Sequence, residues 1–266
     1  MTNRKERVTD SLVLFWGGIY SNWAKTPFDY KGIHFSSGEQ FLMYAKAMLF
    51  KDDDVAKKIM ATNDVAKIKQ YGREVRDFVD KTWESQRLGI AIRGLYAKFS
   101  QSDTLKKQML EDFNFGFRSF VEASPKDDLW GVNLGQNDDR VLDYSQWKGT
   151  NLLGTALGFV ATRLLIESGH ELKVVPMNVA MILSYLANVE FLGSEAGVIK
   201  AITSTLADDG NWFFEDYFDY MNLSSSLHYS LRHFLGLEHR NIFFDFTNFK
   251  PWELKLNYVT TSSHQQ

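Results

Sequence analysis

The first residues in this chain that could do chemistry are a carboxylate and an amine at a fixed spacing, Glu39 and Lys46. The six residues between them are mainly apolar or aromatic. On a helix, residues seven apart lie on one face, two turns or about 10 Å apart. Apolar surroundings shift the pKa of a carboxylate or an amine and so prepare it for acid–base or nucleophilic chemistry. We therefore take both as candidate catalytic residues.

A purely structural role is the alternative for this pair. Residues 36–39 match a capping box, in which Glu39 binds the backbone amide of Ser36. Lys46 would then extend from the side of its helix to solvent. The pattern alone favours this alternative, because such charged pairs are common on helix surfaces.

The second candidate is Asp127, which follows Pro125 and precedes Trp130 and Gly131. A carboxylate beside an indole can stabilise an oxocarbenium-like centre while the ring stacks on a base or packs beneath a ribose. The structural alternative is a turn aspartate next to a core tryptophan. The residues alone leave the two interpretations evenly balanced.

Other polar patterns are weaker. Residues 147–154 form a glycine-bounded loop that enters a helix, where free backbone amides would suit a phosphate or diphosphate. Trp16, Trp23 and Trp83 are expected in the core. The histidine spacings do not fit a helical metal pair, so no metal site is predicted.

These residues must be positioned by a mixed fold in which helix predominates. The hydrophobic pattern predicts helices over residues 37–50, 80–99, 102–113 and 151–166, and another that starts at the acidic run 52–54. It predicts a buried strand over 12–20, a hairpin or irregular β segment over 28–35 with Gly32 at a turn, and a strand over 117–121. The expected fold class is α+β.

Composition excludes several classes of protein. The chain of 266 residues has no cysteine, which excludes disulfides and thiolate chemistry and fits a reducing compartment. The sequence shows no signal-peptide pattern and no apolar run of membrane length, so we expect a cytoplasmic protein that does not bind membranes. Residues 1–170 carry 24 Lys and Arg against 22 Asp and Glu, which is not the strongly basic body of a tight duplex-DNA binder.

In combination, the motifs resemble the NADAR family, which is named for NAD and ADP-ribose and is also called YbiA-like. The motifs occur in family order within residues 12–166, and their ordered set is more specific than any one of them. They are Tyr20–Trp23, Gly38–Phe50, Gly72-Arg73, Trp83, Lys98-Phe99, Glu122–Asp127, Trp130-Gly131 and Trp147–Gly154.

The resemblance implies a compact, mainly helical α+β domain over residues 12–166, with N-glycosidase chemistry and no cofactor. Carried over by position, it implies a catalytic set of Glu39, Lys46 and Asp127, which reverses the preference for a structural role of the first two. The substrate-binding set implied in the same way is Ser21, Asn22, Trp83, Trp130, Gly131, Gly149, Asn151 and Gly154.

Two features depart from the family pattern. Arg163 stands two places later than the arginine that often ends the last family helix, so we assign it no phosphate contact. Residues 171–260 have no counterpart in the minimal family domain. This segment is acidic and rich in aromatic residues, with 6 Lys and Arg against 11 Asp and Glu in residues 171–266. We expect an α/β extension that packs on the core or binds a protein partner.

The family's known activities give the functional expectation. Its members remove ADP-ribose from modified guanine or cleave phosphoribosylamino intermediates of riboflavin synthesis. We expect the first activity, on ADP-ribosylated guanine in single-stranded DNA, RNA or a nucleotide. In this mechanism Lys46 attacks ribose C1, Glu39 moves a proton, and Asp127 stabilises positive charge or activates water. The open alternatives are the phosphoribosylamino-pyrimidine activity and a non-catalytic module that binds ADP-ribose or NAD.

Overall fold

The computed structural model of this protein describes residues 5–170. Within that range the strands are β1 (Arg7–Val8), β2 (Leu12–Phe15), β3 (Phe28–Tyr30), β4 (Ile33–Phe35) and β5 (Ser119–Glu122). The α-helices there are α1 (Gly38–Leu49), α2 (Asp53–Met60), α3 (Val65–Arg73), α4 (Asp80–Ser100), α5 (Asp103–Phe113) and α6 (Leu152–Glu167). The predicted α+β class with a predominance of helix is confirmed. The predicted extension over residues 171–260 lies outside the described residues.

A three-stranded sheet determines where the candidate residues meet. Strand β2 lies in its centre, antiparallel to β1 and parallel to β5. Phe15 at the end of β2 is in register with Glu122 at the end of β5. Because the strands are parallel, the loops that follow them leave from the same edge of the sheet. One loop carries Asn22 and the other carries Asp127.

Strand β2 is shorter than the sequence predicts. The predicted strand over residues 12–20 ends at Phe15, and Gly18 then takes a positive φ of 73° in a turn. Trp16 is 61% exposed, so its predicted place in the core is wrong. Tyr20, at the end of the same segment, is fully buried and donates a hydrogen bond of 2.6 Å to Asp112. Tyr20 thus anchors the start of the loop that follows.

Helix starts agree with the capping chemistry of the sequence. Asp52 accepts a hydrogen bond from the amide of Val55 at the start of α2, and Ser102 accepts one from Leu105 at the start of α5. The hairpin of β3 and β4 is confirmed, with Gly32 at φ 76°. Helix α3 was not predicted, although it borders the candidate site.

The main core lies between the sheet and helices α1, α4, α5 and α6. Its centre is aromatic: the Tyr20 ring contacts the rings of Phe99 and Phe120, and Phe120 in turn stacks on Phe113. Such packing fixes the ends of β2 and β5 relative to α1. In the described range, the helices are too short or too polar to cross a membrane.

Candidate active site

The start of α1 leaves the Glu39 side chain free for chemistry. Ser37 caps the helix by accepting a hydrogen bond from the amide of Gln40. The Gln40 side chain also reaches back past the start of the helix: its Oε1 accepts a hydrogen bond of 2.7 Å from the amide of Ser36. The interpretation of Glu39 as the capping carboxylate is therefore wrong, since the next residue occupies that role.

The loop after β2 holds Glu39 from two sides. The carbonyl of Asn22 accepts the Glu39 amide at 2.8 Å. A Cβ atom at position 38 would lie 2.6 Å from the Asn22 side-chain oxygen and 3.3 Å from its Cα, so glycine at position 38 favours this close approach. The Trp23 side chain lies near the Glu39 carboxylate and, as a hydrogen-bond donor, slightly lowers its pKa. Trp23 is 48% exposed, which corrects the expectation that it is a core residue.

The predicted substrate-binding residues Ser21 and Asn22 shape this loop. The Ser21 hydroxyl accepts the amide of Trp23 at 3.1 Å, and both Ser21 and Asn22 are buried. The structure thus gives each of them a contact within the protein next to Glu39.

The loop after β5 fixes Asp127. Its Oδ1 accepts the amides of Leu129 at 3.1 Å and Trp130 at 2.8 Å, which locks the carboxylate in a turn. Gly131 lies so close to β5 that a Cβ there would be 2.7 Å from the Glu122 carbonyl. The predicted residues Trp130 and Gly131 therefore brace Asp127, and the partly buried Trp130 ring packs against the main core.

Three carboxylates share this corner of the molecule: Glu39, Glu122 and Asp127. Burial raises the pKa of Glu39 to about 7, and the charge of Asp127 adds to the increase. Burial also raises the pKa of Glu122 to about 8, reinforced by the charges of Asp127 and Glu39. The Oε2 atom of Glu122 is buried without a hydrogen-bond partner among the described residues.

Two cations of α3 face the same corner. The positive charges of Lys69 and Arg73 lower the pKa of Glu39, against the effect of burial. The Lys69 amine also lies 5.5 Å from the centre of the Trp23 ring. Residues four apart on a helix lie on one face, so Lys69 and Arg73 form one basic edge beside the three carboxylates.

This arrangement combines an acid with charge-stabilising groups. At neutral pH, the raised pKa keeps Glu122 largely protonated and therefore able to donate a proton. A nearby ionised carboxylate can stabilise positive charge on a reacting carbon. Neighbouring carboxyl groups in different protonation states are the basis of glycoside cleavage.

Lys46 lies on the same face of α1 as Glu39 but has different neighbours. Its amine donates a hydrogen bond of 2.8 Å to the carbonyl of Gly72 and lies 4.1 Å from the centre of the Phe78 ring. The ring of Trp83, which is buried as expected, is 5.7 Å away. Burial lowers the pKa of Lys46, and Asp80 partly opposes this. A lowered pKa increases the fraction of neutral, nucleophilic amine.

The last turn of α3 borders both Lys46 and Glu39. Gly72 holds the Lys46 amine, and the next residue, Arg73, acts on Glu39. The structure therefore brings Glu39 and Asp127 into one cluster and places Lys46 and Trp83 together at its side.

Sequence reasoning missed three residues of this site. Glu122 was recognised only as part of a motif, although its position at the end of an apolar strand was a usable signal. Lys69 was missed, and Arg73 was recognised only as part of the Gly72-Arg73 motif, because α3 itself was not predicted. Their spacing of four residues becomes informative only once that helix is known.

Four amides of the predicted phosphate loop over residues 147–154 are engaged within the protein. Each of the four donates to a carbonyl of the loop 128–131 and so is not available to a phosphate. The donors are Thr150, Asn151, Leu152 and Leu153.

The other residues predicted in this loop have structural contacts. The Asn151 side chain bridges the Glu122 amide and the Phe120 carbonyl, at 3.0 and 2.9 Å. A Cβ at Gly149 would collide with the Gly131 carbonyl, and one at Gly154 with the Phe120 carbonyl. These residues fasten α6 to β5 and to the Asp127 loop.

Arg163 is engaged on another surface. Its Nε donates to Glu167 at 2.6 Å, and its guanidinium lies 4.6 Å from the centre of the Tyr96 ring. The structure gives it partners on α4 and α6.

Comparison with known proteins identifies relatives over this part of the chain. The NADAR domain family model matches residues 14–165. N-glycosidase R617 of Acanthamoeba polyphaga mimivirus is 38% identical over 162 residues, which cover 56% of this chain and 94% of that protein. N-glycosidase YbiA of Escherichia coli (strain K12) is 26% identical over 163 residues, covering 59% of this chain and 91% of that protein.

Two further similarities were found. Protein irg-1 of Caenorhabditis elegans is 29% identical over 174 residues, which cover 59% of this chain and 81% of that protein. The NMR structure of E. coli YbiA matches with a TM-score of 0.49 and 24% identity, covering 62% of this chain and 92% of that chain.

Proposed function

This chain belongs to the NADAR domain family, and we propose that it is an N-glycosidase that hydrolyses the bond between ADP-ribose and guanine. The relatives named N-glycosidases support a hydrolase of this general type. The observation that carries the proposal is the buried Glu122 oxygen beside Glu39 and Asp127, which has no hydrogen-bond partner among the residues that the structure describes. This is a proton donor next to groups that stabilise positive charge.

In the proposed first step, the bond between ribose C1 and the guanine nitrogen breaks. Glu122 donates its proton to that nitrogen, which keeps the bonding electron pair, and guanine leaves neutral. Asp127 stabilises the positive charge that develops at C1. The neutral amine of Lys46 forms the new bond to C1, for which its lowered pKa prepares it.

In the second step, the ribose ring opens and water releases the product. The Lys46 nitrogen, positively charged once it is bound to C1, first gives a proton to the Glu122 carboxylate. Glu39 then gives a proton to the ring oxygen as the C1–O bond breaks, and Lys46 becomes a protonated Schiff base with C1. Water adds to C1 and gives a proton back to Glu39, the Lys46 amine leaves, and ADP-ribose is free. A pKa of about 7 suits Glu39 to both donation and uptake of protons.

We assign the diphosphate of the substrate to the basic edge formed by Lys69 and Arg73. Their charges adjoin Glu39, and charge-assisted hydrogen bonds to phosphate oxygens are among the stronger polar contacts. The exposed Trp23 indole, 5.5 Å from the Lys69 amine, offers a ring on which a base can stack.

The experiment is incubation of the purified full chain with ADP-ribosylated guanine in a short single-stranded DNA, followed by mass spectrometry. The expected result is free ADP-ribose and an oligonucleotide with intact guanine. A parallel substrate panel includes a phosphoribosylamino-pyrimidine and ADP-ribosylated RNA. Cleavage of the pyrimidine alone would transfer the proposal to that substrate, and binding of ADP-ribose without cleavage of any substrate would favour a binding module.

Borohydride in the same reaction tests the covalent step. Reduction of the Schiff base is expected to add the mass of reduced ADP-ribose to the peptide that contains Lys46. The matched control is Lys107→Ala, an exposed lysine on α5, which should still give the adduct, whereas Lys46→Ala should not. Turnover without an adduct would show that water attacks C1 directly.

A further inference from the structure

A lysine that the proposed mechanism does not use is buried beneath the loop at the site. Lys98 lies on α4 with 1% of its surface exposed. Its amine donates a hydrogen bond of 3.2 Å to the carbonyl of Ser21 and lies 5.1 Å from the centre of the Phe99 ring. An ammonium group has three donors, so one carbonyl satisfies it only in part.

Such a group is unfavourable for the stability of the fold. Burial lowers the pKa of Lys98 to about 7, and within the described residues no carboxylate charge acts on it. A buried amine without an opposite charge is disfavoured relative to an apolar side chain of similar volume. Methionine has nearly the same length and no polar hydrogen, so the interior would accept it readily.

The acceptor of this lysine belongs to the loop that holds Glu39. From the Ser21 carbonyl, the chain passes directly to Asn22, whose carbonyl accepts the Glu39 amide. The next residue is Trp23, whose side chain lies near the Glu39 carboxylate and lowers its pKa. Lys98 thus contacts the loop from inside the protein, one and two residues from its contacts with Glu39.

We propose that Lys98 is a positioning residue that holds the Ser21–Trp23 loop in the conformation in which Asn22 and Trp23 orient Glu39. The role of Glu39 rests on the proposed function. The position of the loop does not, and it is measurable without substrate. In this role, Lys98 makes the fold less stable but keeps the site ordered.

The test compares Lys98→Met with wild type and with Lys107→Met, an exposed lysine control on α5. For Lys98→Met we expect an unchanged or higher Tm and a 10- to 100-fold lower kcat/KM, as for small displacements of catalytic groups. Lys107→Met should match wild type in both measurements.

Two NMR measurements separate positioning from general destabilisation. The indole N–H signal of Trp23, assigned with Trp23→Phe, should move in Lys98→Met while the signals of the buried Trp83 and Trp147 stay in place. The titration of Glu39, followed by carboxyl ¹³C shifts and assigned with Glu39→Gln, should shift to higher pH. The reason is that the effect of Trp23, which lowers the pKa of Glu39 by favouring the charged carboxylate, is weakened when the indole moves away.

Two results would overturn the inference. A Tm and an activity that fall together, with many indole signals displaced, would make Lys98 a structural residue. Unchanged activity, Trp23 signal and Glu39 titration would show that the loop does not depend on it. If wild type cleaves no N-glycoside, the proposed function fails, whereas the Trp23 and Glu39 signals still decide the role of Lys98.

Discussion

A single proton on Glu122 should control the alkaline side of the activity profile. The pKa of this group is raised to about 8, so the folded protein holds the proton at pH 7 and loses it as the pH rises through about 8. Because the proposed reaction consumes that proton, kcat should fall over the same range. Glu122→Gln keeps the shape and removes the proton, so kcat should drop about 10²- to 10⁴-fold and the alkaline limb should disappear.

The control for this prediction is Glu111→Gln, an exposed carboxylate on α5 that should leave the profile unchanged. Rates are measured from pH 5 to 10. An alkaline limb that persists in Glu122→Gln would assign the proton to a different group.

Lys69 should act on the substrate and on Glu39 at once. Loss of one charge-assisted hydrogen bond to phosphate is worth about 1.5–3 kcal/mol, so Lys69→Met should raise KM by about 10- to 100-fold. The pKa of Glu39, followed by its carboxyl ¹³C shift, should also rise in this variant, since the charge of Lys69 lowers it. Lys67→Met is the control, because Lys67 is an exposed residue of the same helix. Equal KM values in both variants would exclude Lys69 from the phosphate site.

At this scale, the sequence predicts residue types better than contacts. Glu39 and Asp127 were predicted and do share one cluster. The capping role, however, belongs to Gln40, one residue from the predicted Glu39, because the actual helix start decides which side chain reaches back. The surroundings of Lys46 depend on Gly72 and Phe78, which are distant in sequence and enter only through the packing of α3.

At the scale of elements, the contact between the Asp127 loop and the start of α6 should be sensitive to one methyl group. A Cβ at position 149 would collide with the Gly131 carbonyl and the backbone of Asp128. Gly149→Ala should therefore displace the loop, lower kcat by at least tenfold and reduce stability by about 1–3 kcal/mol. Gly135→Ala is the control, because a Cβ there meets nothing within 4 Å. Activity and denaturant unfolding measured on both variants decide the question, and equal behaviour would contradict a tight contact.

Elements with clear boundary signals were predicted and the others were not. Helices α1 and α5 begin at serine caps and were predicted within a residue or so. Strand β2 was predicted too long, because the apolar run continues past Phe15 while glycines end the strand. Helix α3 was missed because only Ile68 and Gly72 among its nine residues are buried, which leaves a weak apolar pattern.

At the scale of the whole molecule, the site draws on elements that are far apart in the chain. Glu39 comes from α1, the basic edge from α3, and Glu122 from the end of β5. The parallel pairing of β2 with β5 makes this possible, because it joins residues 12–15 to 119–122 and leaves both following loops at one edge. A sequence pattern indicates each segment, whereas their juxtaposition follows only from the strand order.

The residues of the proposed site and the family match both end before residue 170. The family model covers residues 14–165, and the last contacts that brace the Asp127 loop come from the start of α6. A fragment of residues 1–170 should therefore cleave ADP-ribosylated guanine with a kcat/KM within about threefold of the full chain, since no group assigned to catalysis is removed.

Removal of residues 171–266 also takes away a net charge of −5. For this reason, both proteins are compared over a range of salt concentration, where long-range charge effects on an anionic substrate disappear at high salt. A deficit of more than tenfold that persists at high salt, in a fragment that unfolds cooperatively, would assign residues 171–266 a direct part in the site.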